Sequence, residues 1–150
     1  LLLADTLVLA AKTKPTALIS LATLTGSCVV ALGSRYSGLF STDGALANRL
    51  LTAGVCSGER LCQFPLSEDY DEALKSDIAD LLHCTVDAEA DHILAARFLS
   101  YFVGKRAWAH IDLSAHRHQG GLGAADSDVT GFGVALLTAF LQQQIPAAVV

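Results

Sequence analysis

The segment Thr23-Leu24-Thr25-Gly26-Ser27 contains residue types that can bind an anion or a peptide carbonyl group. It follows an apolar run, residues 17–22, that is typical of a strand covered on both faces, and it precedes a predicted helix at 28–32. In open α/β sheets ligands bind at the carboxyl ends of strands, where a following helix also offers unpaired N–H groups. Gly26 would let a ligand approach the backbone closely. The alternative is an ordinary helix cap by a hydroxyl of this segment, and the residues alone favour that cap.

A second group, His110, Asp112, His116 and His118, consists of side chains that ligate zinc in other proteins. The first two share one face of a predicted strand, and the other two follow within a few residues. The alternative is a hydrogen-bonded pair of His110 and Asp112 at the sheet end, followed by a solvated loop. Histidines spaced by two residues are common, so the pattern favours the pair over an independent zinc site.

Two serines, Ser27 and Ser114, are candidate nucleophiles for a Ser–His–Asp hydrolase. The chain has no GxSxG motif, the strand–turn–helix signature of one large class of such enzymes, so this chemistry is disfavoured. We expect the carboxylates near these segments to be solvated charges of loops and helix starts, namely Asp87, Glu89, Asp91, Asp126 and Asp128.

Alternating strands and helices position these segments and predict an α/β sandwich with a mainly parallel sheet. The predicted strands are residues 17–22, 36–41 and 108–113, and the predicted helices are 1–12, 28–32, 45–55, 70–75, 89–103 and 133–143. We expect a loop at 119–128 and an irregular tail at 145–150.

The composition limits the function classes. A chain of 150 residues with 52% hydrophobic and 17% charged residues fits one compact domain and excludes a disordered segment. The net charge of −5 argues against a nucleic-acid partner, and no apolar run is long enough to cross a membrane. Four cysteines without CxxC spacing predict free thiols in a reduced, cytoplasmic protein. Because the chain has no Met and opens on apolar Leu1, we expect it to be a piece of a longer polypeptide.

Several motifs occur together in a specific order: Ala22-Thr23-Leu24-Thr25-Gly26-Ser27, Ser57-Gly58-Glu59-Arg60, Trp108-Ala109-His110-Ile111-Asp112 and Thr130-Gly131. Over about residues 1–141 the chain resembles the carboxyl-terminal half of the catalytic domain of the leucyl (cytosol) aminopeptidase family. The resemblance implies a three-layer α/β/α sandwich around a mainly parallel, mixed sheet that is incomplete in residues 1–150. It also implies that the amino-terminal domain and the metal-binding segment of the parent are absent from this chain.

The resemblance implies an activity for the parent protein. Members of the family remove amino-terminal residues from peptides with two divalent metal ions (zinc, manganese or magnesium), and they typically form homo-hexamers. The family's metal ligands, catalytic arginine and catalytic lysine align upstream of Leu1. We therefore expect no catalytic residue, no metal ligand and no bound metal in this chain, and no peptidase activity of the chain alone. The expected partners are peptide substrates, without membrane or nucleic acid.

The resemblance assigns the wall of the substrate pocket to this chain. Thr23, Leu24 and Gly26 match positions that line the family's substrate site, and Ser114 stands where the family usually has a pocket alanine. The Leu24 carbonyl would accept an N–H of the substrate. The resemblance thus favours a binding role over a simple cap, and it supports a structural role for His110 and Asp112.

The sequence departs from the family pattern near this pocket. Leu94 replaces a usual Thr, and Ser114-Ala115 replaces Ala-Gly. Ser20 stands where the family often has Asp or Asn, and His83 where it has Asn. Residues 85–91 are acidic where the family is Gly-rich, and Val129 replaces Ala or Met before Thr130-Gly131. These departures keep a second hypothesis open, namely a non-catalytic relative with a structural or binding role.

Overall fold

The structure, a computed structural model, describes residues 1–87 and 89–143. Its α-helices are α1 (Leu2–Lys12), α2 (Gly26–Leu32), α3 (Gly44–Ser57), α4 (Asp91–Ser100) and α5 (Val134–Gln142). Its strands are β1 (Ala17–Ala22), β2 (Ser37–Ser41), β3 (Leu61–Gln63) and β4 (Ala107–Asp112), and a 3-10 helix spans Glu68–Leu74.

The four strands form one mixed sheet in the order β1-β4-β2-β3. β1 runs parallel to β4 and β2 runs parallel to β3, whereas β2 and β4 are antiparallel. Helices cover both faces of the sheet, which confirms the predicted α/β class and its mixed, mainly parallel sheet. The parallel register places Ala22 opposite Asp112, so the carboxyl ends of β1 and β4 lie side by side.

The central strand β4 shows why the chain folds this way. Its residues alternate as predicted, and from Trp108 onward the strand is buried because both faces are covered. On one face Ala109 and Ile111 pack against the apolar sides of α3 and α5. On the other face Trp108 packs with α1 and α4. These four helices therefore each contribute an apolar stripe, and the sheet is the middle layer.

The structure corrects several predicted boundaries. β3 was not predicted, and α4 runs from Asp91 to Ser100 instead of over 89–103. The segment predicted as a helix at 70–75 is the 3-10 helix Glu68–Leu74. The loop predicted at 119–128 contains only an isolated bridge between Leu122 and Ala125. The predicted tail, residues 145–150, lies outside the described residues. Among the described residues no helix is long and apolar enough to cross a membrane.

Candidate functional site

The candidate site is the turn that joins β1 to α2, residues 23–25, which we call the β1–α2 loop. Asp112, the last residue of the neighbouring strand, holds this loop through its carboxylate. Its Oδ1 accepts the backbone N–H of Leu24 at 3.0 Å and that of Thr25 at 3.4 Å. Its Oδ2 accepts the hydroxyl of Thr25 at 2.7 Å. The loop is thus anchored at the carboxyl ends of two adjacent parallel strands.

Thr25 also caps the helix that follows. Its Oγ1 accepts the backbone N–H of Cys28 at 3.2 Å, as expected for an N-cap residue with an extended backbone. The cap that the residues alone favoured is therefore present, and it occurs together with the anchored loop. One hydroxyl serves both, because it donates to Asp112 and accepts from Cys28.

Asp112 is buried, with 1% of its surface exposed. Burial raises the pKa of this carboxyl above its ordinary value, while the hydrogen bonds from Thr25 and Leu24 favour the charged form. A buried carboxylate needs such donors, since an unpaired one is costly. Asp112 is consequently committed to the loop, with both of its oxygens in use.

Three of the predicted site residues, Thr23, Leu24 and Gly26, are exposed and lie together at this loop. No donor among the described residues reaches the Leu24 carbonyl. A Cβ placed on Gly26 would meet no atom within 4 Å. The backbone at Leu24 and Gly26 is therefore open to an approaching ligand.

A small cleft of about 80 Å³ adjoins the loop on the α4 side. Leu24 and His83 line it together with residues from the start of α1 and the middle of α4: Leu1, Leu3, Ala95, Phe98 and Leu99. Its lining is mainly apolar, which suits an aliphatic group.

The fourth predicted site residue, Ser114, is not at this surface. It is 3% exposed, and its hydroxyl donates to the Tyr36 carbonyl at 2.6 Å. The Ser114 Oγ in turn accepts the Cys28 thiol at 3.7 Å. The structure therefore does not bring Ser114 together with Thr23, Leu24 and Gly26 on the exposed face, and its hydroxyl serves internal packing.

The four candidate zinc ligands are not brought together either. His116 is exposed, and its Nδ1 lies 2.8 Å from the Leu113 carbonyl. His118 Nδ1 lies 2.7 Å from the hydroxyl of Ser34, and Asp112 is occupied by the β1–α2 loop. Within residues 1–87 and 89–143 no group of three or more His, Cys, Asp or Glu side chains could hold a metal ion. The zinc interpretation of His110, Asp112, His116 and His118 is wrong.

The alternative interpretation, a hydrogen-bonded pair of His110 and Asp112, is also wrong. His110 is fully buried, and its Nδ1 lies 3.0 Å from the hydroxyl of Ser20, which also accepts the indole N–H of Trp108 at 3.2 Å. Burial lowers the pKa of His110 to about 4. The His110 ring also stacks against the rings of Phe40 and Trp108. His110 and Asp112 therefore both have structural roles, but they bond to different partners.

Of the two candidate serine nucleophiles, only Ser27 lies beside a histidine in the described residues. Within residues 1–87 and 89–143 no histidine is bonded to Ser114, whereas the hydroxyl of Ser27 lies 3.1 Å from Nδ1 of His92 on α4. His92 is not among the site residues predicted from the sequence. The two residues are 65 positions apart, and no spacing in the sequence links them.

Glu59 is another residue whose role was not predicted from the sequence. It is 6% exposed, and its Oε2 accepts the backbone N–H of Gly133 at 3.0 Å and of Leu136 at 2.7 Å. Glu59 thus caps α5 from a distant part of the chain, where Gly133 itself provides no side-chain cap. The motif Ser57-Gly58-Glu59-Arg60 was the signal that could have identified it.

The fold and the anchored loop define an α/β domain with an open backbone turn at the carboxyl end of a strand, and comparisons with known proteins show the family to which it belongs. A family model described as "Cytosol aminopeptidase family, catalytic domain" matches residues 1–138. The chain belongs to the cytosol aminopeptidase family.

Individual relatives agree with this assignment. The chain is 47% identical over 144 residues to a probable cytosol aminopeptidase of Chlorobaculum parvum, covering 95% of this chain and 28% of the relative. It is 44% identical over 146 residues to a probable cytosol aminopeptidase of Geobacter sulfurreducens, covering 97% of this chain and 29% of the relative. A solved structure of a tomato leucine aminopeptidase mutant matches with a TM-score of 0.85 at 33% identity, covering 94% of this chain and 27% of that one.

These matches extend over only part of the relatives. The chain spans 28% of the length of the Chlorobaculum parvum protein that it matches. The residues of the β1–α2 loop lie inside the matched region.

Proposed function

We propose that this chain forms the substrate-binding wall of a leucyl aminopeptidase, an enzyme that removes amino-terminal residues from peptides. In this proposal the β1–α2 loop holds the peptide backbone, and other segments of the longer protein supply the chemistry. The observation that carries the proposal is the anchored loop, which leaves the Leu24 carbonyl open while Asp112 fixes the N–H groups on either side of it.

The binding role follows from what the loop offers. The open Leu24 carbonyl is an acceptor for an amino or amide N–H of the substrate. Because Asp112 already fixes the amides of Leu24 and Thr25, substrate binding costs little further backbone entropy at this loop. Gly26 carries no side chain that would keep a peptide at a distance.

The apolar cleft beside Leu24 supports a preference for an aliphatic side chain. Its volume of about 80 Å³ is small, and most of its lining comes from Leu, Ala and Phe side chains. We propose that it takes an apolar group of the substrate, with the exposed His83 at its rim.

The divalent metal ions implied by the family, zinc, manganese or magnesium, do not fit the residues described here. The described residues contain no group of three or more potential ligands, and both oxygens of Asp112 are used by the loop. No step through a metal is derived from this chain. We propose that the ligands and the catalytic side chains belong to other parts of the parent, a cytoplasmic protein that assembles as a homo-hexamer.

The departures at Leu94 and Ser114 are compatible with a working pocket. Leu94 is 4% exposed and packs in the core with Phe98 and Trp108. The Ser114 hydroxyl is bonded to the Tyr36 carbonyl, so it does not present a free polar group to a ligand.

A chimera tests the proposal. The segment of the Chlorobaculum parvum relative that matches this chain is replaced by these 150 residues, and hydrolysis of a leucine amide is measured with added zinc or manganese. We expect the chimera to hydrolyse the amide and the isolated 150-residue chain to be inactive under the same conditions. Hydrolysis by the isolated chain would contradict the proposal that other segments of the longer protein supply the catalytic residues. A folded chimera that binds metal but does not hydrolyse the amide would favour the second hypothesis, a non-catalytic relative with a binding role.

A further inference from the structure

His92 contacts the β1–α2 loop through Ser27. Its Nδ1 lies 3.1 Å from Ser27 Oγ, and this hydroxyl donates to Thr25 Oγ1 at 3.3 Å. The Thr25 hydroxyl in turn donates to Asp112 Oδ2 at 2.7 Å. A continuous row of hydrogen bonds therefore joins α4 to the carboxylate that holds the loop.

The number of protons available limits the directions that these hydrogen bonds can take together. Each hydroxyl has one proton to donate. Thr25 gives its proton to Asp112, because a carboxylate can only accept, and Ser27 gives its proton to Thr25. In the arrangement that keeps all three hydrogen bonds, Ser27 therefore accepts from His92, and Nδ1 of His92 carries the hydrogen. If Nδ1 lacked that hydrogen, Ser27 would turn its proton to the ring and the bond to Thr25 would be lost.

The surroundings of His92 keep its ring in place and neutral. The ring packs edge-on against Phe64 with centroids 4.5 Å apart, and Phe40 lies 6.3 Å away. Burial lowers the pKa of His92, and the charged groups that face it, Asp112 on β4 and Asp91 on its own helix, oppose this shift. A neutral imidazole has one N–H, and the hydrogen bond to Ser27 decides which nitrogen carries it.

We propose that His92 is a positioning residue of the substrate-binding loop, and that its Nδ1–H orients the hydroxyls of Ser27 and Thr25 toward Asp112. The link to substrate rests on the proposed function above, whereas the positioning of the loop does not. In the part of the chain that the structure describes, the His92 ring bonds to Ser27 and not to the Leu24 backbone, so it acts through Ser27 and Thr25. It therefore sets the geometry of the open carbonyl from outside the loop.

The tautomer of His92 gives the first test. Two-bond proton–nitrogen spectra of the full 150-residue chain at neutral pH identify which ring nitrogen carries the hydrogen. We expect Nδ1–H at His92 in the wild-type chain and loss of that preference in Ser27→Ala. A wild-type His92 with its hydrogen on Nε2 would overturn the proposal.

Amide exchange gives the second test, because the Leu24 and Thr25 amides report directly on the loop. We expect His92→Leu to speed hydrogen exchange at these two amides about fivefold, the scale set by loss of one ordinary hydrogen bond. His92→Asn, whose side-chain N–H can take the place of Nδ1–H, should restore rates near wild type. His116→Asn, at an exposed histidine away from the loop, should leave the two amides unchanged. Equal exchange in His92→Leu and the wild type would overturn the proposal.

The chimera separates this inference from the proposed function. If the function is right, His92→Leu in the active chimera should raise KM more than it lowers kcat, and His92→Asn should largely reverse the effect. An inactive chimera whose loop amides still respond to His92→Leu would refute the function and leave the positioning role intact. An active chimera in which neither KM nor the loop amides respond to His92→Leu would refute the positioning role alone.

Discussion

Asp112 Oδ1 lies 3.0 Å from the backbone nitrogen of Leu24, although the two residues are 88 positions apart in the chain. The contact joins the end of β4 to the loop that leaves the end of β1. It turns the end of a parallel strand pair into a rigid support for an open backbone carbonyl. The buried Asp112 side chain thereby holds an exposed loop in place.

Removing the Asp112 carboxylate should therefore destabilise the protein. Asp112→Ala leaves the two amides and the Thr25 hydroxyl without their acceptor, and we expect the free energy of unfolding in urea to fall by about 2–4 kcal/mol. Asp112→Asn keeps one acceptor oxygen and relieves the burial of a charge, so we expect a loss of only about 1 kcal/mol. Asp126→Ala, at an exposed carboxylate, is the matched control and should change the value by less than about 0.5 kcal/mol. Equal losses for Asp112→Ala and Asp126→Ala would refute the anchoring role.

The buried His110 should make the protein less stable in acid. Its pKa is lowered to about 4 in the folded state, below the ordinary value of 6.5. Between these two values the unfolded chain binds the proton more readily, so the free energy of unfolding falls as the pH falls through this range. The contribution of His110 amounts to about 3 kcal/mol between neutral pH and pH 4.

Urea titrations at several pH values between 4 and 8 measure this effect. We expect His110→Asn to show a flatter dependence of unfolding free energy on pH below 6.5 than the wild type, whatever its stability at neutral pH. His116→Asn, at an exposed histidine, should keep the wild-type slope. A wild-type slope in His110→Asn would show that other groups cause the acid sensitivity.

Gly38 is a site where any side chain would collide with the core. A Cβ at this position would lie 2.7 Å from the Cys28 sulfur and 3.3 Å from the ring of Phe64. We expect Gly38→Ala to lower the free energy of unfolding by about 1–3 kcal/mol through overpacking. Cys28→Ala removes the nearer atom, so the double variant should be more stable than the sum of the single changes by about 1 kcal/mol. Strict additivity in this cycle, measured by urea unfolding, would exclude the Cys28 collision as the cause.

Glu59 should matter for α5 although it lies 74 residues before Gly133. Glu59→Ala leaves the buried N–H groups of Gly133 and Leu136 without an acceptor, and we expect a loss of about 2–3 kcal/mol in unfolding free energy. Glu59→Gln can still accept both hydrogen bonds and should lose less than half of that. Glu68→Ala, at an exposed carboxylate, serves as the control and should be close to neutral. A Glu59→Gln variant as unstable as Glu59→Ala would mean that the charge, and not the acceptor, stabilises the helix.

The sequence predicted the elements whose apolar pattern is long and regular. β1 has the predicted bounds, because a strand covered on both faces is apolar at nearly every position. β4 shows the predicted alternation of its two faces. β3 has only three residues, and its pairing with β2 places it in the sheet. A pattern so short carries no periodic signal.

The candidate site was predicted less completely than the fold. The β1–α2 loop stood out because Thr, Gly and Ser follow an apolar strand. The histidine partners of Ser20 and Ser27 could not be predicted in the same way. Ser20 is 90 residues from His110, and Ser27 is 65 residues from His92. The expected pairing of His110 with Asp112 failed for the same reason. Both side chains lie on one face, but each meets a partner from another element that spacing within β4 cannot reveal.

Gly26 offers the sharpest distinction between a binding role and a structural one. Gly26 and Gly44 are the first residues of α2 and α3, and a Cβ on either would meet no atom within 4 Å. Neither Gly26→Ala nor Gly44→Ala should therefore lower the free energy of unfolding, and each removes some flexibility from the unfolded chain. In the active chimera we expect only Gly26→Ala to raise KM for the leucine amide, by about tenfold, because a substrate lying against the loop meets the new methyl group. Unchanged KM in a stable Gly26→Ala chimera would mean that no substrate approaches this backbone, and the binding wall would have to lie elsewhere in the protein.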